Sequence, residues 1–314
     1  MNNQIGPELI RSGFVAILGR PNAGKSTLLN HLSDMHLAIV SPKPQTTRHI
    51  IRSIVDDGES QLIFVDTPGL HKPENQLGMM MQDASWKALA DADAVVLLID
   101  AERPGPTVVE REAVRRCTEF HKPLFLAINK VDRIPKETLL PIIGIYSRLQ
   151  AFLAIVPISA RTGDGVDILL DEIRKAMPEG PRYYPQDTLT DQTERVLCAE
   201  LIREQVLKSI NEEIPHGIGV LVEQFEELKD NQPAEEGERD RVSISAVLYC
   251  ERESHKKILI GKGGSMLKKI GTAARQQIEE MTGCPVYLEL LVKVREDWRN
   301  RKGILSDLGY EGEA

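Results

Sequence analysis

The segment Gly19-Arg20-Pro21-Asn22-Ala23-Gly24-Lys25-Ser26-Thr27 brings two glycines, a lysine and two hydroxyls into one short run. The spacing G-x4-G-K-S lets backbone N–H groups curl around a phosphate at a helix N-terminus, while Lys25 reaches the outer phosphate oxygens. All of these residues are therefore candidates for phosphate contact, and Ser26 is placed to put its hydroxyl on Mg2+. A second group, Asp66-Thr67-Pro68-Gly69, sets a carboxylate at the end of an apolar run. There it suits Mg2+ held through water, and the Gly69 N–H can sense a terminal phosphate. A third group, Asn129-Lys130-Val131-Asp132, selects the base. Guanine presents a ring N–H and an exocyclic amino group side by side, which the Asp132 carboxylate accepts together. Adenine offers a ring acceptor instead, and a buried mismatch of that kind supports discrimination of ~10⁴. Asn129 is expected to hold the loops together and the Lys130 stem to cover the base. The backbone of Ser159-Ala160 is expected to offer an N–H to guanine O6.

These side chains need a scaffold that delivers them to one edge. Residues 13–177 alternate β-branched runs (Phe14–Leu18, Ile50–Val55, Leu62–Val65, Ala94–Ile99, Leu124–Ile128, Leu153–Val156) with helical patterns (Ser26–Ser33, Leu77–Leu89, Val108–Phe120, Lys136–Gln150, Val166–Met177). Such alternation predicts an α/β fold with a doubly wound, mostly parallel sheet. Runs apolar throughout fit strands covered on both faces, and such sheets bind ligands at the strands' carboxyl ends. Met177–Asp187, rich in proline, breaks the rhythm and reads as an interdomain connection. The expected division is an N-terminal tail at 1–12, a nucleotide domain at 13–180, a linker at 181–190, and a second domain with a C-terminal tail at 191–314.

The second domain has an α+β grammar: a helix over Thr193–Ile210, strands over Gly217–Phe225 and Arg241–Tyr249, a helix–turn–helix from Ser254 to Met281, and a strand over Val286–Val294. Asp230–Asp240 is too polar to pack and is expected to form a mobile hairpin loop. The turn Gly261-Lys262-Gly263-Gly264 carries G-x-x-G, which in KH domains clamps about four nucleotides of single-stranded nucleic acid. Charge supports this reading. Arg252–Arg275 holds seven basic residues against one acidic, whereas Glu223–Asp240 holds eight acidic against two basic. A net charge of −8 thus hides a basic face on the glycine turn. The candidate nucleic-acid contacts are Lys256, Lys257, Gly261, Lys262, Gly263, Gly264, Lys268, Lys269 and Arg275.

The composition excludes other classes. With 314 residues, 41% of them hydrophobic, the chain is ordinary for about two globular domains. No apolar run approaches the ~20 residues of a membrane span. The first residues lack a basic start followed by an apolar core, so neither signal nor transit peptide is expected. Cys117, Cys198, Cys250 and Cys284 lie far apart without CxxC, and read as buried thiols in a reducing compartment rather than metal ligands.

In order and spacing the nucleotide motifs resemble those of translation-factor-like GTPases. On that resemblance Gln45-Thr46-Thr47-Arg48-His49 is the first switch loop, with Thr47 closing onto Mg2+, and Asp66-Thr67-Pro68-Gly69-Leu70 is the second. Leu70 stands where many small GTPases carry a glutamine and cannot orient water. This implies slow intrinsic hydrolysis or another source of transition-state charge stabilisation. Potassium-dependent GTPases carry asparagine at the position of Asn22, which would hold K+ against the phosphates. Nearly the whole chain is similar to the bacterial Era GTPases, through GRPNAGKSTLLN, QTTRH, DTPGLH, NKVD, SHKKILIGKGGSMLKKIGTAAR and VKVREDWRN…LSDLGY. The Asp230–Asp240 insertion departs from that family's compact pattern.

The resemblance implies a type II KH domain, hydrolysis of GTP to GDP with Mg2+, and binding of 16S rRNA near its 3′ end during assembly of the small (30S) ribosomal subunit. It also implies a cytoplasmic location, with peripheral inner-membrane association in some members, and no DNA partner. Two alternatives stay open: a GTPase tied to tRNA modification, and an RNA-binding module for which the nucleotide is a structural ligand. A small-molecule kinase is disfavoured by NKVD and DTPG.

Overall fold

Apolar, β-branched runs build one sheet whose strands carry almost no exposed residue. β1 (Ile10–Gly19), β3 (Ser60–Asp66), β4 (Ala94–Asp100), β5 (Leu124–Asn129) and β6 (Ile155–Pro157) run parallel, and β2 (Ile51–Asp56) joins β3 antiparallel. The order β2-β3-β1-β4-β5-β6 reverses around β1, so the sheet is doubly wound. α1 (Lys25–Ser33), α2 (Gln76–Asp91), α3 (Val108–Glu119), α4 (Leu139–Ser147) and α5 (Val166–Ala176) alternate with the strands. This computed structural model describes residues 9–41, 43, 47–70, 73–103, 105–149, 152–210, 217–230, 232–233 and 239–310. The chain divides into one unit of residues 1–38, 44–72 and 81–191 and another of 39–43, 73–80 and 192–314.

Two features of the first unit differ from expectation. The helix expected over Lys136–Gln150 starts as a short 3-10 turn at Lys136–Thr138 and becomes α-helical only at Leu139. Pro141 lacks an N–H and clashes with the carbonyl four residues earlier, so it is tolerated only in a helix's first turn. The proline-rich stretch after Met177 is not a free connection. β7 (Glu179–Gly180) pairs antiparallel with the start of β1, and the N–H groups of Tyr183 and Tyr184 both donate to Gln61 Oε1, at 2.8 and 3.0 Å. Gln61 is fully buried, and these contacts satisfy its carbonyl. Chain through residue 191 therefore belongs to the first unit.

The second unit is built on α6 (Glu194–Ser209), β8 (Gly219–Lys229), β9 (Gln232–Pro233), β10 (Arg241–Cys250), α7 (Glu253–Ile260), α8 (Ser265–Thr282) and β11 (Val286–Val294). Its sheet has the order β11-β10-β8-β9, with only β10 and β11 parallel. Ile270, Ala274 and Ile278, four residues apart on one face of α8, pack into a core with Ile202 and Val206 of α6 and Val242, Ile244 and Leu248 of β10. β9 makes part of the expected loop a paired hairpin, and Arg239 closes it on Glu194 and Glu227. Residues 231 and 234–238 lie outside the described ones. A C-terminal segment with α9 (Lys302–Asp307) buries Trp298, whose indole N–H donates to the Gly217 carbonyl at 2.9 Å.

Cys117, Cys198 and Cys250 are buried, and burial pushes the first two thiols up to about 12 and the third to about 11. Among the described residues no helix is long and apolar enough to cross a membrane.

Candidate functional site

β1 ends at Gly19 and α1 starts at Lys25, so residues 20–24 form a loop at the carboxyl edge of the sheet. Gly24 adopts φ 104°, and a Cβ there would lie 2.1 Å from the Asn129 amide nitrogen; only glycine fits. Asn22 also takes left-handed backbone, with φ 64°. Ala23 and Lys25 are buried, whereas Asn22 is exposed and Pro21, Ser26 and Thr27 are half-buried. The Lys25 ammonium turns back onto the Gly19 and Arg20 carbonyls at 3.4 and 3.5 Å. Burial holds its pKa below the usual lysine range, with Asp66 opposing that shift.

Three oxygen-bearing side chains converge beside this loop. The Ser26 and Thr47 hydroxyls lie 2.8 Å apart, and both donate to Asp66 Oδ2, at 2.9 and 3.2 Å. Asp66 is fully buried, and its Oδ1 has no hydrogen-bond partner among the described residues. Burial raises its pKa, opposed by Lys25 and by the Ser26 and Thr47 hydrogen bonds. Two hydroxyls and a carboxylate with an orphaned oxygen are hard oxygen donors, the set that fits Mg2+.

The other switch residues fall in different surroundings. Thr67 donates to the Ile17 carbonyl at 2.9 Å, and the Pro68 carbonyl accepts from Ser85. Gly69 lies close to Pro21, and the Leu70 N–H reaches the Gly19 carbonyl at 3.2 Å. The Leu70 side chain is 3% exposed, packed in the apolar core. Arg48 is buried and His49 half-buried, while Gln45 and Thr46 lie outside the described residues.

On the base side, Asn129 is the cross-tie expected of it. Its amide donates to the Ala23 carbonyl at 2.7 Å, and its Oδ1 accepts the Ala160 N–H at 2.9 Å. The Ala160 N–H donates to Asn129 and the Ser159 N–H to the Asp164 carbonyl, so these two residues brace the loop beside the expected base position. Ser159 acts through its hydroxyl, which donates to Asp132 Oδ1 at 2.8 Å. Arg161 donates to the other Asp132 oxygen, also at 2.8 Å. Partial burial raises the Asp132 pKa, but Ser159 and the charge of Arg161 outweigh it and hold the carboxyl below the usual range. Lys130, with φ 68°, anchors its ammonium on Asp100 at 2.6 Å.

The Arg20 backbone belongs to the phosphate loop, and its guanidinium pairs with Glu110 at 2.9 Å and donates to the Arg103 carbonyl at 2.7 Å. Spacing in the sequence does not single out Asp100, Glu110 or Arg161. Asp100 carries a signal as the final residue of a strand on the ligand edge, and Glu110 as the last residue of the Thr107-x-x-Glu110 capping pattern, though neither signal names its partner in the site.

In the second unit, Gly261-Lys262-Gly263-Gly264 links α7 to α8. Gly263 and Gly264 have φ 59° and 79°, and a Cβ on either would meet nothing within 4 Å, so this backbone is open to close approach. Lys262 is exposed on the turn; Lys268, Lys269 and Arg275 are exposed along α8, and Lys257 on α7, whereas Lys256 is half-buried.

A phosphate loop, a strand-end carboxylate and an Asn-Lys-x-Asp loop on a doubly wound sheet define a P-loop GTPase, here followed by a domain with KH architecture. A profile for a 50S ribosome-binding GTPase matches residues 14–130, and a KH profile matches residues 213–299. The chain is similar to GTPase Era of Ruminiclostridium cellulolyticum, 46% identical over 302 residues that cover 96% of this chain and 98% of that protein. It is 44% identical to GTPase Era of Clostridioides difficile, over 96% of this chain and 99% of that one. Among solved structures, Aquifex aeolicus Era bound to GDP·AlF4− superposes with a TM-score of 0.90 at 38% identity, covering 96% of this chain and 99% of that chain. Era in complex with MgGDPNP and nucleotides 1506–1542 of 16S rRNA superposes with a TM-score of 0.89, with the same identity and coverage. The chain belongs to the Era family of GTPases.

Proposed function

We propose that this chain binds GTP with Mg2+, hydrolyses it, and uses the nucleotide state to control a grip on the 3′ end of 16S rRNA during small-subunit assembly. The observation that carries the reading is the meeting of Ser26, Thr47 and the orphaned Asp66 oxygen beside the phosphate loop, in a chain whose other unit offers an open, basic G-x-x-G turn. Lys25 and the backbone of residues 19–27 hold the phosphates, Asp132 accepts the guanine N–H groups, and Ser26, Asp66 and Thr47 hold Mg2+. When bound, Mg2+ neutralises charge developing on the phosphate oxygens. Leu70 lies in the core, so water is not oriented from that position.

Asn22 supports a finer reading, in which its carbonyl holds K+ against the phosphates. Asn22→Ala should then leave GTP binding intact and abolish any acceleration of turnover by K+ over Na+; equal wild-type rates in the two salts remove the ion. In this reading the terminal phosphate orders residues 45–49 and 66–70 and thereby alters the RNA grip. A ribosomal RNA target places this work in the cytoplasm. Titrating a 16S 3′-end oligonucleotide against the chain loaded with a GTP analogue or GDP, with turnover measured in parallel, tests the reading. Affinity should differ between the two nucleotides; equal affinity overturns the switch.

A further inference from the structure

Helix α3 contributes no residue to the nucleotide contacts proposed above, yet it carries the carboxylate that holds Arg20. Glu110, in the first turn of α3, is fully buried. Its carboxylate accepts the Thr107 N–H at 2.7 Å and the Thr107 hydroxyl at 3.1 Å, and Thr107 accepts the Glu110 N–H in return, forming a capping box. The buried Tyr146 hydroxyl approaches the same carboxylate at 3.5 Å. A capping box needs an acceptor at this position but not a charge, and glutamine serves it as well as glutamate. The charge has another use. Glu110 Oε1, buried and without a hydrogen-bond partner among the described residues, forms an ion pair with Arg20 Nε at 2.9 Å, while Arg20 Nη2 donates to the Arg103 carbonyl at 2.7 Å, so the guanidinium is held by one charge contact and one hydrogen bond. A lysine cannot make both contacts.

Arg20 also supplies the carbonyl around which the phosphate loop closes. It accepts the Ala23 N–H at 3.3 Å and lies 3.5 Å from the Lys25 ammonium. The side chain is bolted to α3, and the backbone of the same residue shapes the turn and orients Lys25. We infer that Glu110 and Arg20 form a positioning pair that fixes the phosphate loop in its nucleotide-binding shape, so that a buried carboxylate remote from the ligand sets affinity for guanine nucleotides. The inference rests on the phosphate-loop assignment proposed above.

The full-length chain, as wild type, Glu110→Gln, Arg20→Lys and the double variant, tests it through GDP binding, steady-state GTP turnover and thermal melting. Glu110→Gln keeps the capping box and should melt close to wild type. Its Kd for GDP and KM for GTP should nevertheless rise roughly tenfold with kcat little changed, because a misplaced loop weakens binding of substrate and transition state alike. Arg20→Lys should match it, and the double variant should be no worse than the weaker single one, since both break one interaction. A lowered melting temperature with unchanged nucleotide affinity would reduce Glu110 to a helix cap. Unchanged affinity in both single variants, or additive losses in the double variant, would equally overturn the pair. Failure of the wild type to bind GDP would instead strike at the nucleotide reading itself.

Discussion

Asp132 is held from two sides, by the Ser159 hydroxyl on one oxygen and Arg161 on the other, with both carboxylate oxygens still able to accept further hydrogen bonds. Exchanging it for asparagine replaces an acceptor by a donor. Asp132→Asn should therefore convert preference for GTP into preference for XTP, whose carbonyl accepts where guanine donates. Competition binding with the two nucleotides checks this; an unchanged preference for GTP would remove Asp132 from the base contact. The two carboxylates of the site should also separate with pH. Burial raises the Asp66 pKa, so a proton competes with Mg2+ there above the pH at which an ordinary carboxylate titrates, and metal affinity falls as pH falls. Asp132, held below the ordinary range, stays ionised through that window. Lowering the pH toward the ordinary carboxylate range should weaken the Mg2+-dependence of GDP release while the GTP-over-XTP preference persists. Loss of both together would contradict the assignment. Motif residues are legible in sequence because their spacing is dictated by the ligand. The pairing of Arg161 with Asp132, of Asp100 with Lys130 and of Glu110 with Arg20 is not, because in each the partner is brought close only by the fold.

At the scale of elements, period and punctuation locate nearly every strand and helix, and the misses have local causes. Pro141 delays α4, and the prolines after Met177 look like a linker because nothing in their local sequence announces Gln61, 120 or so residues earlier, as their partner. The C-terminal helix escapes a sequence reading for a similar reason. α9 has only 6 residues, and its segment is anchored by buried Trp298, Leu305, Leu308 and Tyr310, the Trp298 ring lying 3.2 Å from where a Gly219 Cβ would stand. Trp298→Ala removes that ring and leaves the Gly217 carbonyl without its donor, so it should destabilise the second unit by about 3–5 kcal/mol. Urea unfolding followed by circular dichroism should show a transition moved to lower denaturant while GTP turnover, a property of the first unit, remains. A shift of under ~0.5 kcal/mol, the scale of a surface change, would mean the segment is not part of that fold.

Across the whole molecule, charge is sorted rather than balanced: a chain of net charge −8 sets Lys256, Lys257, Lys262, Lys268 and Lys269 on and beside one glycine turn. If the turn grips polyanionic RNA as proposed, while the other unit handles GTP, the two activities should be separable. Lys262→Asp combined with Gly263→Asp puts two carboxylates where phosphates are expected to approach. Lys262 is exposed, a Cβ on Gly263 meets nothing within 4 Å, and aspartate is among the residues that tolerate the left-handed backbone there. The cost to folding should accordingly stay near or below about 1 kcal/mol. RNA binding should weaken strongly, with GDP affinity and intrinsic GTP turnover near wild type. Wild-type affinity should fall steeply with salt, because each neutralised phosphate releases a counterion. The variant's log–log slope should be shallower by about one for each phosphate that it no longer neutralises. Titrations of a 16S 3′-end oligonucleotide at three salt concentrations, with a melting curve to verify folding, decide it. A folded variant with wild-type affinity and slope would show that the turn merely connects α7 to α8 and that the RNA grips the chain elsewhere.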